Sequence, residues 1–141
     1  MAVYRHIHIT FWQDSFVLDL TPEEKFFYIY LMTNSKTTQC GIYELPKQII
    51  ELETGYNSDT VGKLIQKFTD YGKILYSDNT KEIMLLNWLK YNYSNSPKVI
   101  ECIIKELGEV KEVEFLKVFD SVCKKYSYSI DTVSIQYKYS G

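Results

Sequence analysis

A chain of 141 residues with 45% hydrophobic and 24% charged residues has the composition of an ordinary folded domain and the length for a real core. Its net charge of −2 and isoelectric point near 5.7 count against a strongly basic nucleic-acid binder, although local surface charge governs binding more than the total. Cys40, Cys102 and Cys123, without C-x-x-C spacing, argue against a disulfide framework or zinc ribbon, and the absence of a long apolar run or leader-like start predicts a cytoplasmic chain with no membrane span.

Residues 4–11 alternate loosely and suit an extended arm or an edge strand. Phe11, Trp12, Phe16, Leu18 and Leu20 follow as an apolar anchor expected to pack on the core. Thr21-Pro22-Glu23-Glu24 is a helix start: Thr21 caps, Pro22 takes the first turn, and Glu24 completes a capping box. That helix should run to about Thr33. Residues 26–32 are apolar on so many sides that the helix belongs at the centre of the core. Residues 34–39 form a polar loop.

Residues 41–45 alternate as a half-buried strand. Pro46 stops it and opens a helix whose apolar face is Ile49, Ile50 and Leu52. Gly55-Tyr56-Asn57 breaks the helix, with Gly55 suited to the C-cap and Asn57 to the next N-cap. The following helix, 58–71, puts Val61, Leu64, Ile65 and Phe68 on one stripe, and Gly72 ends it. Residues 73–76 and 82–86 are two strands around the polar turn 77–81. Residues 87–97 look like a linker. Ser96 and Pro97 then start a helix carrying Val99, Ile100, Ile103, Ile104 and Leu107, interrupted at Gly108. A last amphipathic helix, about 111–126, carries Val113, Leu116, Phe119, Cys123 and Tyr126. The remaining tail is polar and tyrosine-rich. The thirteen tyrosines of the chain scatter over every segment, as fillers of half-buried positions do.

This order predicts a mainly α fold with a small β-hairpin: a winged helix (helix-turn-helix plus wing) over 1–95, a helical extension at 96–127 packing on it, and a tail at 128–141. A second helix beside a hairpin wing is a common way into a DNA groove. With its apolar stripe inward, the 58–71 helix presents Asp59, Lys63, Gln66 and Asp70 outward, with Thr60 and Lys67 on one flank and Gly62 on the other. Gln66 suits an adenine edge, Lys63 a guanine, and Asp59 can accept from cytosine. The competing expectation is a solvated or protein-binding face, because two acids balance two lysines. On the wing and its flank, Lys73, Tyr76, Asn79, Lys81 and Lys90 form a candidate phosphate-holding set, against the plainer role of edge lysines that block aggregation. Ile100, Ile103, Ile104, Leu116 and Phe119 either pack on the core or supply a self-association surface. His6 and His8 would share one strand face, but no third ligand accompanies them, so no metal or cofactor is expected. No phosphate-binding glycine loop, H-E-x-x-H or G-x-S-x-G is present, and an enzyme is not expected.

Several separated motifs also resemble a known family. Phe11-Trp12-x-Asp14, Leu20-Thr21-Pro22-Glu23-Glu24-Lys25-x-Phe27-Tyr28-x-Tyr30-Leu31-x-Thr33-Asn34, Gly41-Ile42-Tyr43 and Glu53-Thr54-Gly55-Tyr56 come first. Asp59-Thr60-Val61, Asn87-Trp88-x-Lys90-Tyr91-Asn92 and Pro97-Lys98 follow in order. They resemble the N-terminal domain of the phage and prophage replisome organizers of Gram-positive bacteria, relatives of the primosome protein DnaD. The resemblance implies a winged helix that binds double-stranded DNA at a phage origin and forms a dimer or higher oligomer. Contacts with a helicase loader belong to a further domain of such proteins. A primosome-type oligomerisation scaffold with little DNA contact, or a transcriptional regulator on the same fold, are the alternatives.

Overall fold

The computed structural model describes residues 3–126 together with Tyr128 and Ile130. The remainder of the 128–141 tail lies outside the described residues. The chain is mainly helical, with one three-stranded antiparallel sheet.

Residues 4–8 form no strand, which corrects one of the two expectations for the arm. A short 3-10 helix, Ile9–Gln13, follows and is capped by His8, whose Nδ1 accepts from the Thr10 amide at 3.2 Å. Helix α1 is Ser15–Leu18; Asp14 Oδ1 caps it by accepting from Phe16 N and Val17 N. Phe11, Val17 and Leu20 are buried, but Trp12 and Leu18 are more than half exposed, so only part of the expected anchor enters the core. The reason is local geometry. Tight helical turns point neighbouring side chains in diverging directions, and one face alone meets the body of the protein.

Helix α2, Pro22–Thr33, has the predicted capping box complete, with Thr21 Oγ1 accepting from Glu24 N and Glu24 Oε1 accepting from Thr21 N. Phe27 and Leu31 are fully enclosed, whereas Phe26 stays about half exposed beside Tyr56. The helix is central on one side only.

Strand β1 is Ile42–Glu44, helix α3 Lys47–Thr54, and helix α4 Ser58–Asp70. Gly55, at φ +82°, closes α3 as the left-handed residue a C-cap needs. Asn57 opens α4, its Oδ1 accepting from Thr60 N at 2.9 Å. Val61, Leu64, Ile65 and Phe68 are all buried, as their spacing predicts. Leu52 is 81% exposed, because α3 turns only its Ile49–Ile50 side inward; the expectation for Leu52 is corrected.

Strands β2, Ile74–Ser77, and β3, Glu82–Leu85, pair antiparallel, and β1 joins the far side of β3. At the tip, Lys81 takes the left-handed conformation (φ 58°) and its amide donates to Ser77 O.

Residues 87–97 are not simply a linker. Trp88–Asn92 form a helical turn, α5, that buries Trp88 and Leu89. Helix α6, Pro97–Glu109, runs straight through Gly108 rather than being interrupted there, and helix α7 is Val113–Lys125. One hydrophobic cluster joins Leu20 on the N-terminal side to Phe115, Leu116, Phe119, Cys123 and Ile130, so the C-terminal helices share the core of the rest. Ile103, Leu116 and Phe119 are at most 1% exposed. Of the two roles open to them, they take core packing, and they are corrected as surface candidates. Ile100 and Ile104 are half-buried.

Candidate nucleic-acid interface

Helix α4 owes its orientation to the stripe it buries, and what remains outward follows from the 3.6-residue period. Asp59, Lys63, Gln66, Lys67 and Asp70 are exposed, and Thr60 and Gly62 are half-buried. Gln66 and Asp70 are engaged with each other, Gln66 Nε2 donating to Asp70 Oδ1 at 2.9 Å, and Lys67 acts on Glu24, at the start of α2, from beyond ion-pair distance. Burial pushes the Glu24 carboxyl upward. Hydrogen bonds from Tyr71 and Thr21, together with the Lys67 charge, outweigh it and hold the net value below the ordinary carboxylate range. The α4 face is therefore near charge balance, with Lys63 its most available cation.

The β2–β3 hairpin stands beside α4, but its charged groups do not gather at one place. Asn79 and Lys81 are exposed at the tip. Tyr76 is turned inward: its hydroxyl donates to Leu45 O at 2.9 Å, and Lys47 Nζ lies 5.3 Å from its ring centroid. Lys47 also pairs with Asp78 at 2.9 Å. Lys73 lies 4.4 Å over the Phe16 ring, on the side of the N-terminal arm. Lys90 is on α5 over Tyr91. Among the five wing and flank candidates, the tip pair Asn79 and Lys81 is the part beside the turn; Tyr76, Lys73 and Lys90 serve other contacts.

The turn end of the hairpin, where Ser77 pairs with Glu82, is held by groups that carry no motif. Glu82 is buried, and its two carboxylate oxygens accept from Lys111 N at 3.1 Å and Glu112 N at 2.8 Å. Ser77 Oγ donates to Glu112 Oε1 at 2.9 Å. The segment between α6 and α7 thus clamps the hairpin to the C-terminal helices. A lone Glu within a strand was the one available signal, since a carboxylate facing the interior must find donors.

His6 and His8 do not share a strand face, and among the described residues no group of three or more His, Cys, Asp or Glu side chains is arranged to hold a metal ion. Among those residues no helix is long and apolar enough to cross a membrane. Comparison with protein-family models, with curated proteins and with solved structures finds no match to this chain.

Proposed function

We propose that this chain is a winged-helix module that binds double-stranded DNA and self-associates, in the manner of the replisome organizers its motifs resemble. The observation that carries the proposal is the order α3, tight turn, α4, β2–β3 hairpin, with α4 burying one stripe and leaving Asp59, Thr60, Lys63, Gln66 and Lys67 along its outer side. In this reading α4 enters the major groove. Lys63 and Gln66 meet base edges, and Asn79 and Lys81 touch the flanking phosphates. The near balance of charge makes a single copy a weak binder, so affinity comes from several copies arrayed along an origin. Ile100, half-buried and outside the hydrophobic cluster, is the apolar side chain that α6 offers for contacts between copies. The role is non-enzymatic and cytoplasmic, and any contact with a helicase loader follows from the same family likeness.

A second reading is favoured by one observation. The Gln66–Asp70 hydrogen bond and the pull of Lys67 on Glu24 involve two of the five recognition-face residues within the chain. This suits a primosome-type scaffold whose α4 meets protein rather than DNA. A role in transcription on the same fold would be separated from replication by the genes around the locus.

Fluorescence anisotropy of duplex DNA titrated with the protein across a salt series decides between DNA and protein. Direct binding predicts an affinity that falls linearly in log–log form with salt, because phosphate contacts release counterions. No salt-dependent affinity at low ionic strength, with self-association intact by sedimentation, would leave the scaffold.

A further inference from the structure

On the side of the molecule bearing the N-terminal arm, residues of the arm, α1, α2 and α5, with Lys73 just before β2, enclose a cavity of about 50 Å³. A second, of about 20 Å³, shares much of its wall. Tyr28, Lys73, Asn87 and Trp88 line both. The remaining surface is largely apolar, with Val17 and Met32 among the lining residues of the larger cavity.

Lys73, Asn87 and Tyr28 bring three hydrogen-bond donors to these walls that have no acceptor among the described residues, and the exposed His6 and His8 edge the larger cavity. The Lys73 ammonium rests over Phe16, and no carboxylate among the described residues lies within ion-pair distance of it. Leu86 N donates to Lys73 O at 3.0 Å, which continues the β2–β3 register and makes Asn87 a close neighbour of Lys73. The Asn87 side chain makes no capping bond to α5. Burial, with the nearby Tyr91 and Asp14, pushes the Tyr28 hydroxyl up to about 12, so it stays protonated and able to donate. The one acid on the wall, Asp14, is already engaged. Its Oδ1 accepts from Phe16 N and Val17 N, and its Oδ2 from the Tyr91 hydroxyl at 3.4 Å.

An ammonium, a carboxamide and a phenol over apolar walls match a monoanion with two oxygens and a small hydrocarbon body. At roughly 10–15 Å³ per water-sized group, the larger cavity holds about three to five such groups and its neighbour one or two. We infer that this is a binding site for a small carboxylate, held by Lys73, Asn87 and Tyr28. The site is independent of DNA binding, and it gives Lys73 a role other than the wing.

The test is a titration of the full ¹⁵N-labelled chain with isobutyrate, isobutyramide and inorganic phosphate, followed by NMR. Isobutyrate should shift the Trp88 indole and Asn87 side-chain resonances saturably, with an affinity in the millimolar range or tighter. The neutral amide and the phosphate should bind far more weakly. Lys73→Gln should weaken isobutyrate about tenfold or more, because it removes a charged hydrogen-bond donor, and Lys73→Arg should retain most of the affinity. Equal binding of isobutyrate and isobutyramide, equal binding of phosphate, absence of a saturable shift, or an unchanged affinity in a folded Lys73→Gln protein would each overturn the proposal. If Lys73→Gln does not fold, the comparison of isobutyrate with isobutyramide on the unaltered chain decides alone.

Discussion

The hydroxyl of Tyr71 donates to Glu24 Oε2 at 2.6 Å, joining the C-terminal end of α4 to the first turn of α2 across 47 residues of sequence. The same carboxylate closes the capping box of α2 through Oε1. One acid therefore fixes both the start of the central helix and the position of the helix proposed to meet DNA.

This arrangement makes stability depend on pH in a defined direction. The folded carboxyl of Glu24 lies below its ordinary value of 4.5, so its contribution is complete above that value and is lost as the pH falls through the lower folded value. Glu24→Gln should lower the thermal midpoint by a few degrees at neutral pH. The gap between variant and wild type should close on going to acid. Thermal unfolding followed by circular dichroism from neutral to acid pH checks this, and a gap independent of pH would show that the charge of Glu24 contributes nothing.

Gly41 offers a second, purely steric prediction. Its φ is +82°, and a Cβ there would lie 2.6 Å from Trp88 Cγ and 2.7 Å from Trp88 Cβ. Both the backbone conformation and the ring contact resist a side chain, and Trp88 is held in place by the bond from its Nε1 to Gln39 O. Gly41→Ala should cost more than about 2 kcal/mol in chemical denaturation. A cost within the usual range of surface substitutions would mean that α5 yields easily.

These two relationships show what could be read from the chain beforehand. Periodicity and capping chemistry were sufficient for α2, α3 and α4, because each is specified by local pattern: the Thr21–Glu24 box, Gly55 at positive φ, the Val61–Phe68 stripe. The exposed face of α4 follows from the same pattern. Residues 87–97 were harder, since five helical residues around Trp88 are too few to show a period. Leu52 and Leu18 stand exposed against their apolar character because an apolar residue on a short helix does not reveal which side meets the core. The clamp on Glu82 and the cavity at Lys73 depend on contacts between segments about 30 or more residues apart or brought together by tertiary packing, and no local pattern encodes them.

The C-terminal helices give a prediction that separates packing from assembly. Leu116 is fully buried within the shared core. Leu116→Ala should destabilise the monomer by about 2–5 kcal/mol, the usual cost of a core cavity. Ile100→Glu, at a half-buried position of α6 outside the hydrophobic cluster, should act mainly on any self-association. Denaturant titration and sedimentation velocity, run on both variants, distinguish the effects. If Leu116→Ala dissociates an oligomer without loss of monomer stability, the helix packs between copies instead.

On the proposed DNA face, Lys63→Glu with Lys67→Glu reverses two charges on a surface that holds two acids. Duplex affinity should fall by at least about a hundredfold at low salt, and the slope of log affinity against log salt should become shallower by about one per lost phosphate contact. Lys81→Ala, at the hairpin tip, should cost less and equally for all sequences, as a phosphate contact does. Anisotropy titrations on random and candidate origin duplexes measure both. Unaltered affinity in the double variant would remove α4 from the interface.

Gly62 tests how closely that helix approaches its partner. It sits inside α4, where glycine costs about 1 kcal/mol relative to alanine, and a Cβ built on it meets nothing within 4 Å. Gly62→Ala should therefore raise the stability of the free protein by roughly 0.4–1 kcal/mol, chiefly by restricting the unfolded chain. Its effect on binding then reports geometry. If the flank of α4 lies against a DNA backbone, the added methyl should weaken duplex affinity while the thermal midpoint rises. If the flank faces water, stability rises and affinity stays where it was. A fall in stability would instead mean that something packs against Gly62 in solution, and a contact between copies at that position would be the first to examine.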